Sequence, residues 1–426
     1  MKHSRTELPT RLEAGGVCIQ AQDWDDINVP RIRFPKRADA TRLPLGRVGA
    51  LLAAFALLAC GGEPASGHPQ GFYARGPAHP KSPLEVVAKL HTAPANVAVS
   101  SDGRIFLSQH QFWGPELKVV ELVDVDDDGF GITVPFPNAD WNDSENVPFA
   151  FQAVLGLRYA ADGTLWVLDN GAPRMIGFDL VGNEPPTIID LSPSTIPGSF
   201  VNDIALDMRR NLAYIADTAF GLPVASGAII VVDLETGDSR RVLQGHPSLQ
   251  REDGVSIVID GSTVNVPPVD ADGITIAPNN KRVYFGPISG RSLYSLKTKY
   301  LADSTLSDDE LDAKIRRAGD KPINDGILAD RARNIYQTDL ENSAIGVTRP
   351  NGDYHILYQD DELLSWPDGF SDGPGGFIYV TANQLHRSPG VLGLEEMLGM
   401  PSGRAPAEPP YYLLRFKSLV PGRLGR

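Results

Sequence analysis

The sequence predicts an all-β fold, a six-bladed β-propeller closed by an N-terminal strand that joins the last blade. Three observations predict it. A hairpin unit recurs six times, at intervals of 43 to 70 residues. Glycine and proline number 42 and 35, as in a chain of many turns. An apolar segment without a partner stands at each end of the repeats. The units open at Asn96, Leu155, Asn202, Asp272, Asp325 and Asp368. Each is a short apolar strand, a polar Gly/Asn/Asp turn and a second apolar strand with an aromatic and a β-branched residue near its end, which is a hairpin signature. Repetition of such units implies radial blades rather than one open sheet.

Taken in order, residues 1–59 read as a leader and signal peptide. Arg37, Arg42 and Arg47 precede an apolar run from Val48 to Ala59, which is followed by Cys60 and two glycines. A basic flank and about a dozen apolar residues suit a secretory signal and are too few to span a bilayer. Cysteine directly after Leu57-Leu58-Ala59 resembles the bacterial lipobox, so Cys60 is the expected lipidation site. The mature chain is then an exported, membrane-anchored lipoprotein on the periplasmic or extracellular face. Residues 60–83, rich in Gly, Pro, Ser and Ala, read as a flexible tether, and 84–419 as the propeller. Cys18 and Cys60 are the two cysteines, and neither is left for a disulfide in the mature fold.

The net charge is −14, and removing the Arg-rich leader makes the remainder more acidic still. This excludes nucleic acid as a partner and limits membrane contact to the anchor. A small molecule is the expected partner, and a monomer the expected state.

Leu84–His91 reads as the strand that completes the blade containing Asp368 and Tyr411, because a propeller must hide its end edges. Further strands are visible at Leu117–Val123, Met175–Leu180, Ala228–Leu234, Ser292–Leu296, Ile345–Thr348 and Tyr411–Lys417. Two insertions interrupt them. Residues 301–318 read as helical, with Ser307 as cap and Asp308, Asp309 and Glu310 in the first turn. Residues 385–409 read as a Pro/Gly-rich loop with one helical turn at Gly393–Met400. Neither carries an evident site.

In a hairpin, the start of the first strand lies beside the end of the second. Openers therefore share one rim with the closing residues Gln109/His110, Asp169/Asn170, Asp217/Thr218, Gly286/Pro287, Thr338/Asp339 and Thr381/Asn383. Five of the six openers are Asn or Asp. Convergent carboxylate and amide oxygens suit Ca²⁺ or another divalent cation, and equally a ligand's ammonium or hydroxyl groups. Asn and Asp also form turns by bonding nearby amides, so six capped turns are the plain alternative. The ligand-binding candidates are Asn96, Asn202, Asp272, Asp325, Asp368 and His110. The metal candidates among them are Asn202, Asp272 and Asp325. His110 is either a general base or a polar rim residue. Asp124–Gly129 matches the front half of a calcium loop, but position twelve is Pro135, so it reads as an acidic hairpin loop. Trp113, Trp141 and Trp166 either line a pocket or pack in the core, the commoner fate of tryptophan. No nucleophile elbow, zinc motif, phosphate loop or cysteine pair is present.

Several segments resemble the major royal jelly protein/Yellow family: Asp272–Phe285 with Leu293-Tyr-Ser-Leu, Arg241-Val-Leu-Gln-Gly-His-Pro-Ser, Val134-Pro-Phe-Pro-Asn-Ala-Asp-Trp-Asn and Ala213-Tyr-Ile-Ala-Asp-Thr. The likeness is colinear over roughly 84–385. It implies six blades. Bacterial members are labelled L-dopachrome tautomerase-related, and some salivary members bind biogenic amines at one channel mouth. The resemblance thus implies a ligand-binding propeller, with tautomerase-type turnover as an accompanying expectation. A more distant likeness is to the gluconolactonase/regucalcin/paraoxonase propellers, which hold a divalent cation with Glu, Asn and Asp. Asn202 matches their Asn and Asp272 their Asp. The first-blade Glu falls near Asn96 and the second-blade polar residue at Leu155, and these departures weigh against lactone hydrolysis through Asn96, Asn202, Asp272 and Asp325.

Overall fold

The computed structural model describes residues 78–425 apart from 183, 220–225 and 267–268. The leader, Cys60 and most of the tether lie outside the described residues. Six four-stranded antiparallel sheets form the blades. Blade 1 comprises Pro94–Val99, Ile105–Gln109, Val119–Val125 and Gly131–Pro135. Blade 2 comprises Val154–Tyr159, Thr164–Asp169, Arg174–Asp179 and Thr187–Asp190. Blade 3 runs through Val201–Asp207, Leu212–Asp217, Ala228–Asp233 and Ser239–Val242. Blade 4 is Ala271–Ile276, Arg282–Pro287, Ser292–Lys297 and Arg316–Asp320. Blade 5 is Ile327–Ala329, Ile335–Asp339, Ala344–Thr348 and Tyr354–Gln359. Blade 6 takes Pro367–Gly373, Phe377–Ala382 and Tyr411–Lys417 from the C-terminal part and Glu85–Leu90 as its outer strand. The expected closure is therefore present.

The first strand of each blade packs against the first strands of both neighbours, so these six strands ring the central channel. Being covered on both faces, they are almost wholly buried, which is why they read as near-continuous apolar runs rather than alternating ones. Outer strands such as Gly131–Pro135 and Thr187–Asp190 are mostly exposed.

Five of the inner strands shift register just after their first residue: between Pro94 and Val97, Val154 and Leu157, Val201 and Ile204, Ala271 and Ile274, and Pro367 and Phe370. Such bulges turn side chains out of the pleat, here at the channel rim. Hydroxyls on the second strands take up some of the bulge N–H groups. Ser108 Oγ accepts from Asn96 N at 2.9 Å and donates to Leu155 O of blade 2 at 2.6 Å. Thr381 Oγ1 accepts from Gly369 N at 3.0 Å and donates to Ala95 O of blade 1 at 2.6 Å, across the closing seam. That seam is also clasped from outside. Lys89 N donates to Gly129 O at 2.8 Å, and Phe130 at the blade 1 hairpin tip stacks on His91 at 4.1 Å.

Two elements differ from the sequence reading. Of residues 301–318, Thr298–Leu301 and Asp308–Asp312 are helical, the latter with the Ser307/Glu310 capping box, whereas Arg316–Asp320 is the outer strand of blade 4. The edge of Ser292–Lys297 needs a partner, and pairing overrides local helix propensity. The helix in the last insertion is Pro389–Met397, starting earlier than Gly393 because Ser388 caps it and Pro389 occupies its first turn. The Asp124–Gly129 stretch is a hairpin turn in which Asp126 Oδ1 accepts from Asp128 N and Phe130 N. Trp141 and Trp166 pack in blade-interface cores and Trp113 against two of them.

Glycines after the openers let the blades approach. A Cβ on Gly326 would lie 2.0 Å from Asp368 O, and one on Gly273 would lie 2.6 Å from Asp325 O. Gly326→Ala is expected to lower the unfolding free energy by roughly 2–4 kcal/mol through overpacking and backbone displacement. Gly393→Ala, with nothing within 4 Å of its Cβ, is expected to be neutral or slightly stabilising. Urea titration of both variants checks this; equal midpoints would contradict it.

Candidate functional site

One hydrogen bond repeats in every blade and defines the rim. The N–H of the residue closing the second strand reaches the residue two before the opener: His110 to Ala93, Asn170 to Ala153, Thr218 to Phe200, Ile288 to Asp270, Leu340 to Ile323 and Asn383 to Trp366. Counted from it, the opener ring is Ala95, Leu155, Asn202, Asp272, Asp325 and Asp368. Asn96 is thus one residue deeper than its assignment by sequence. The first hairpin carries Ala95 at the rim, while Asn96 stands level with Gly156, Asp203, Gly273, Gly326 and Gly369.

The deeper layer contains a group that sequence reading missed. Arg158 of blade 2 holds Asp203 of blade 3 through both carboxylate oxygens at 3.0 and 3.1 Å. It also donates to Ile204 O at 2.8 Å and, across the hub, to Phe370 O of blade 6 at 2.7 Å. Asn96 Nδ2 reaches Asp203 Oδ1 at 3.4 Å, and Asn96 Oδ1 accepts from Val97 N at 2.8 Å. Asn96 therefore belongs to the floor. Burial raises the proton affinity of Asp203, and the Arg158 charge opposes that rise. Removing one partner of such a buried pair costs about 3–5 kcal/mol. Beyond the guanidinium, a cavity of about 20 Å³ lined by Val99, Arg158, Thr275, Leu328 and Phe370 continues away from the opener ring. A charged residue inside the apolar strand 154–159 was the available signal.

Above this floor, the three acids come from consecutive blades. Asp272 accepts from Asn202 Nδ2 at 2.5 Å and is hydrogen-bonded to the Asp325 carboxyl group. Trp366 Nε1 donates to Asp325 Oδ2 at 2.9 Å, and Asn383 Nδ2 to Asp368 Oδ2 at 2.7 Å. Asp272, Asp325 and Asp368 are 4%, 8% and 8% exposed. Burial pushes Asp325 up to about 6. It raises Asp272 well above the carboxylate range, with the Asp325 and Asp368 charges adding to the rise. Asp368 is raised likewise by burial and by Asp325. None of the three forms an ion pair among the described residues. Lys321, buried nearby, directs its ammonium to the carbonyls of Gly290 and Pro322 at 2.8 and 2.9 Å. Trp366 has φ +54, a strained conformation for a bulky residue, held where its indole meets Asp325.

His110 is placed at the rim but not as a base. Its Nδ1 accepts from Phe112 N at 3.2 Å as the cap of a short 3-10 turn, and burial lowers it to about 3. The imidazole is neutral, with its acceptor nitrogen engaged. The closing aspartates Asp169 and Asp217 organise loops, Asp169 accepting from Gln152 N and Ala153 N and Asp217 from Phe200 N and Ala219 N.

The 385–409 insertion and the connection before blade 4 meet as a cap beside the acids. Glu395 on the 389–397 helix accepts from Asn265 N at 2.8 Å and pairs with Arg404, which donates to Thr263 O at 3.0 Å. Ile257, Ile259, Val264, Leu385 and Val391 of this cap pack with Ile288, Leu340 and Trp366 of the rim.

Among the described residues no three His, Cys, Asp or Glu side chains form a metal-binding group. By chemistry, Asn202, Asp272 and Asp325 offer two carboxylates and one amide oxygen, which suits a hard cation completed by water or ligand oxygens.

No curated protein sequence matches the chain. Among solved structures, a luciferin-regenerating enzyme aligns at 13% identity over 81% of this chain and 98% of its own, with a TM-score of 0.50, a likeness of fold. A gluconolactonase from Xanthomonas campestris aligns at 12% identity over 79% and 89%, TM-score 0.48. A calcium-binding regucalcin from Agrobacterium tumefaciens aligns at 12% over 81% and 98%, TM-score 0.47. The major royal jelly protein family profile matches residues 153–389, more than half of the sequence. With six blades and the rim in place, the chain belongs to the major royal jelly protein family.

Proposed function

We propose that this propeller binds a small molecule bearing an amine, aromatic or polar group at the channel mouth formed by Asn202, Asp272, Asp325 and Asp368. One observation supports it above others: three buried carboxylates on adjacent blades lack a cationic partner among the described residues, whereas the fourth, Asp203, has Arg158. Burying uncompensated charge is costly, so this half of the hub favours a protonated amine, a metal ion or bound protons. The floor at Arg158 makes the mouth a cup rather than a passage, entered past the cap. For isomerase- or tautomerase-type turnover, Asp325 supplies a carboxylate to take a proton and Asp272 a carboxylic acid to return one. The proton count of the protein is unchanged after each cycle.

The alternative is a divalent-cation-dependent lactonase. The donor chemistry of Asn202, Asp272 and Asp325 favours it, and a bound cation would polarise a lactone carbonyl. Ala95 and Leu155 at the first two openers weigh against it. The same proposal has the chain exported, monomeric and tethered to the membrane by a lipid on Cys60.

Calorimetry with dopamine, serotonin and then Ca²⁺ tests the cup. Amine binding is expected to weaken about 10- to 100-fold in Asp325→Asn, the loss of one charge-assisted hydrogen bond. No heat from any of the three would favour a protein-binding scaffold instead. Lactone turnover indifferent to chelator and to Asp272→Ala would dispose of the lactonase. Stability gives a further check. Because Asp368 holds its proton more tightly folded than unfolded, its contribution is complete below the unfolded carboxylate range and is lost as pH rises through the raised folded value. Asp368→Asn keeps an acceptor for Asn383 without the charge. Relative to it, the unliganded wild type is expected to melt about 2 °C or more lower at pH 8 and alike at pH 4; a constant offset would contradict this. For the anchor, labelled palmitate is expected in the parent and absent from Cys60→Ala.

A further inference from the structure

At the end of the channel away from the acids, residues 418–425 cross the mouth as a strap. Ser418 N and Oγ both donate to Gly376 O of blade 6 at 3.0 Å, and Leu419 N donates to Tyr336 Oη of blade 5 at 2.6 Å. Farther along, a Cβ on Gly422 would lie 1.9 Å from Asp372 Oδ1 of blade 6, and one on Gly425 would lie 2.4 Å from Ala161 of blade 2. Glycine at both places lets the strap lie flat on these turns. Gly425 forms part of the wall of the small cavity beyond Arg158. It also borders a second cavity, of about 240 Å³, whose other walls are Met208, Arg209, Asn279, Asn280 and Arg423.

Two guanidinium groups from distant parts of the chain thus line one space, Arg209 from the blade 3 turn and Arg423 from the strap, although the net charge of the chain is −14. No acidic side chain lines it among the described residues, and Asp372 borders only the small cavity. The adjacent Arg210 is committed, to Asp207 Oδ2 at 2.9 Å and Asn280 O at 3.0 Å. Arg209 has no hydrogen-bond or ion-pair partner among the described residues. Asn279 Oδ1 accepts from Lys281 N at 3.0 Å, which commits the amide oxygen to its own turn and leaves the NH2 to meet a ligand. The cavity therefore offers donors and positive charge. It is smaller than the roughly 300–1,000 Å³ of sites for drug-sized ligands, which suits a compact anion. We propose that it binds a phosphate group, with Arg209, Arg423 and Asn279 as donors, and that the bound group fastens the strap across the channel mouth. A dianion balances both guanidinium charges, and their planar forks match its oxygens. Because one arginine belongs to the strap and one to blade 3, a ligand held by both stabilises the closed position of the strap. The site lies at the opposite end of the channel from the acids and does not depend on what they bind.

Inorganic phosphate is the first probe. In calorimetric titration of the whole chain, its affinity is expected to fall about 10-fold or more in Arg209→Gln and in Arg423→Gln, and to stay within about twofold in Arg331→Gln. Arg331 is an exposed arginine of the blade 5 turn outside the cavity wall, so it reports the general attraction of a basic surface. Trypsin cleavage after Arg423 reads the strap. Phosphate is expected to slow it severalfold in the wild type and to leave it unchanged in Arg209→Gln. Vesicles of phosphatidylcholine with and without phosphatidic acid separate two sources of the phosphate group. Added sedimentation with phosphatidic acid that is lost in Arg209→Gln assigns it to a lipid headgroup, and phosphate binding without that sedimentation assigns it to a soluble ligand. If neither phosphate nor phosphatidic acid binds the wild type, the site is overturned. An affinity loss in Arg331→Gln equal to that in Arg209→Gln overturns it as well. Phosphate binding that leaves cleavage after Arg423 unchanged overturns the fastening of the strap.

Discussion

The inner ring depends on one constraint, the close approach of each opener to the bulge of the preceding blade. The carbonyls of Asn202, Asp325 and Asp368 lie where a side chain on Gly156, Gly273 or Gly326 would otherwise stand, and the Asn96 side chain takes that place at Gly369. Approach this close makes the bulges necessary, because a regular pleat would turn the openers back into the sheet. The Ser108 and Thr381 hydroxyls then connect one bulge to the next blade. The geometry that closes the wheel is therefore the geometry that turns Asn202, Asp272, Asp325 and Asp368 inward, so ring closure and site formation are one event.

Charge is distributed unevenly over this symmetric frame. Arg158 is a cation committed to the hub, and it neutralises the deeper Asp203 while joining blades 2, 3 and 6. The three acids above it have hydrogen-bond donors, Asn202, Trp366 and Asn383, but no counter-ion among the described residues. Neutral donors reduce the cost of burying a carboxylate without cancelling it. That is why burial raises the proton affinity of all three acids. The first three blades instead present Ala95, Leu155 and Asn202, and Asn170 Oδ1 and Thr218 Oγ1 behind the last two have no hydrogen-bond partner among the described residues.

The cap adds a second level of control. Its two halves come from the connection before blade 4 and from the insertion inside blade 6, and they are joined at Glu395, Arg404 and Asn265. Their apolar undersides cover Ile288, Leu340 and Trp366, on the side of the rim that carries the acids. The 385–409 insertion, which reads as a loop without a site, thus contributes with the connection before blade 4 to the burial around Trp366 and Asp325.

The number of blades, the hairpin turns, the closing strand Glu85–Leu90 and five of the six openers were legible in the sequence alone. These features rest on local patterns, namely apolar runs, Gly/Asn/Asp turns and their repetition, and local patterns survive in any context. It took the closed fold to show that Asn96 lies in the floor, that Arg316–Asp320 is a strand and that His110 caps a turn. Each of these depends on a neighbour from another blade: a bulge that moves the register by one residue, a sheet edge that needs a partner, a hydrogen bond that is or is not supplied across a seam. Such partners are tens of residues distant along the chain and meet only when the wheel closes.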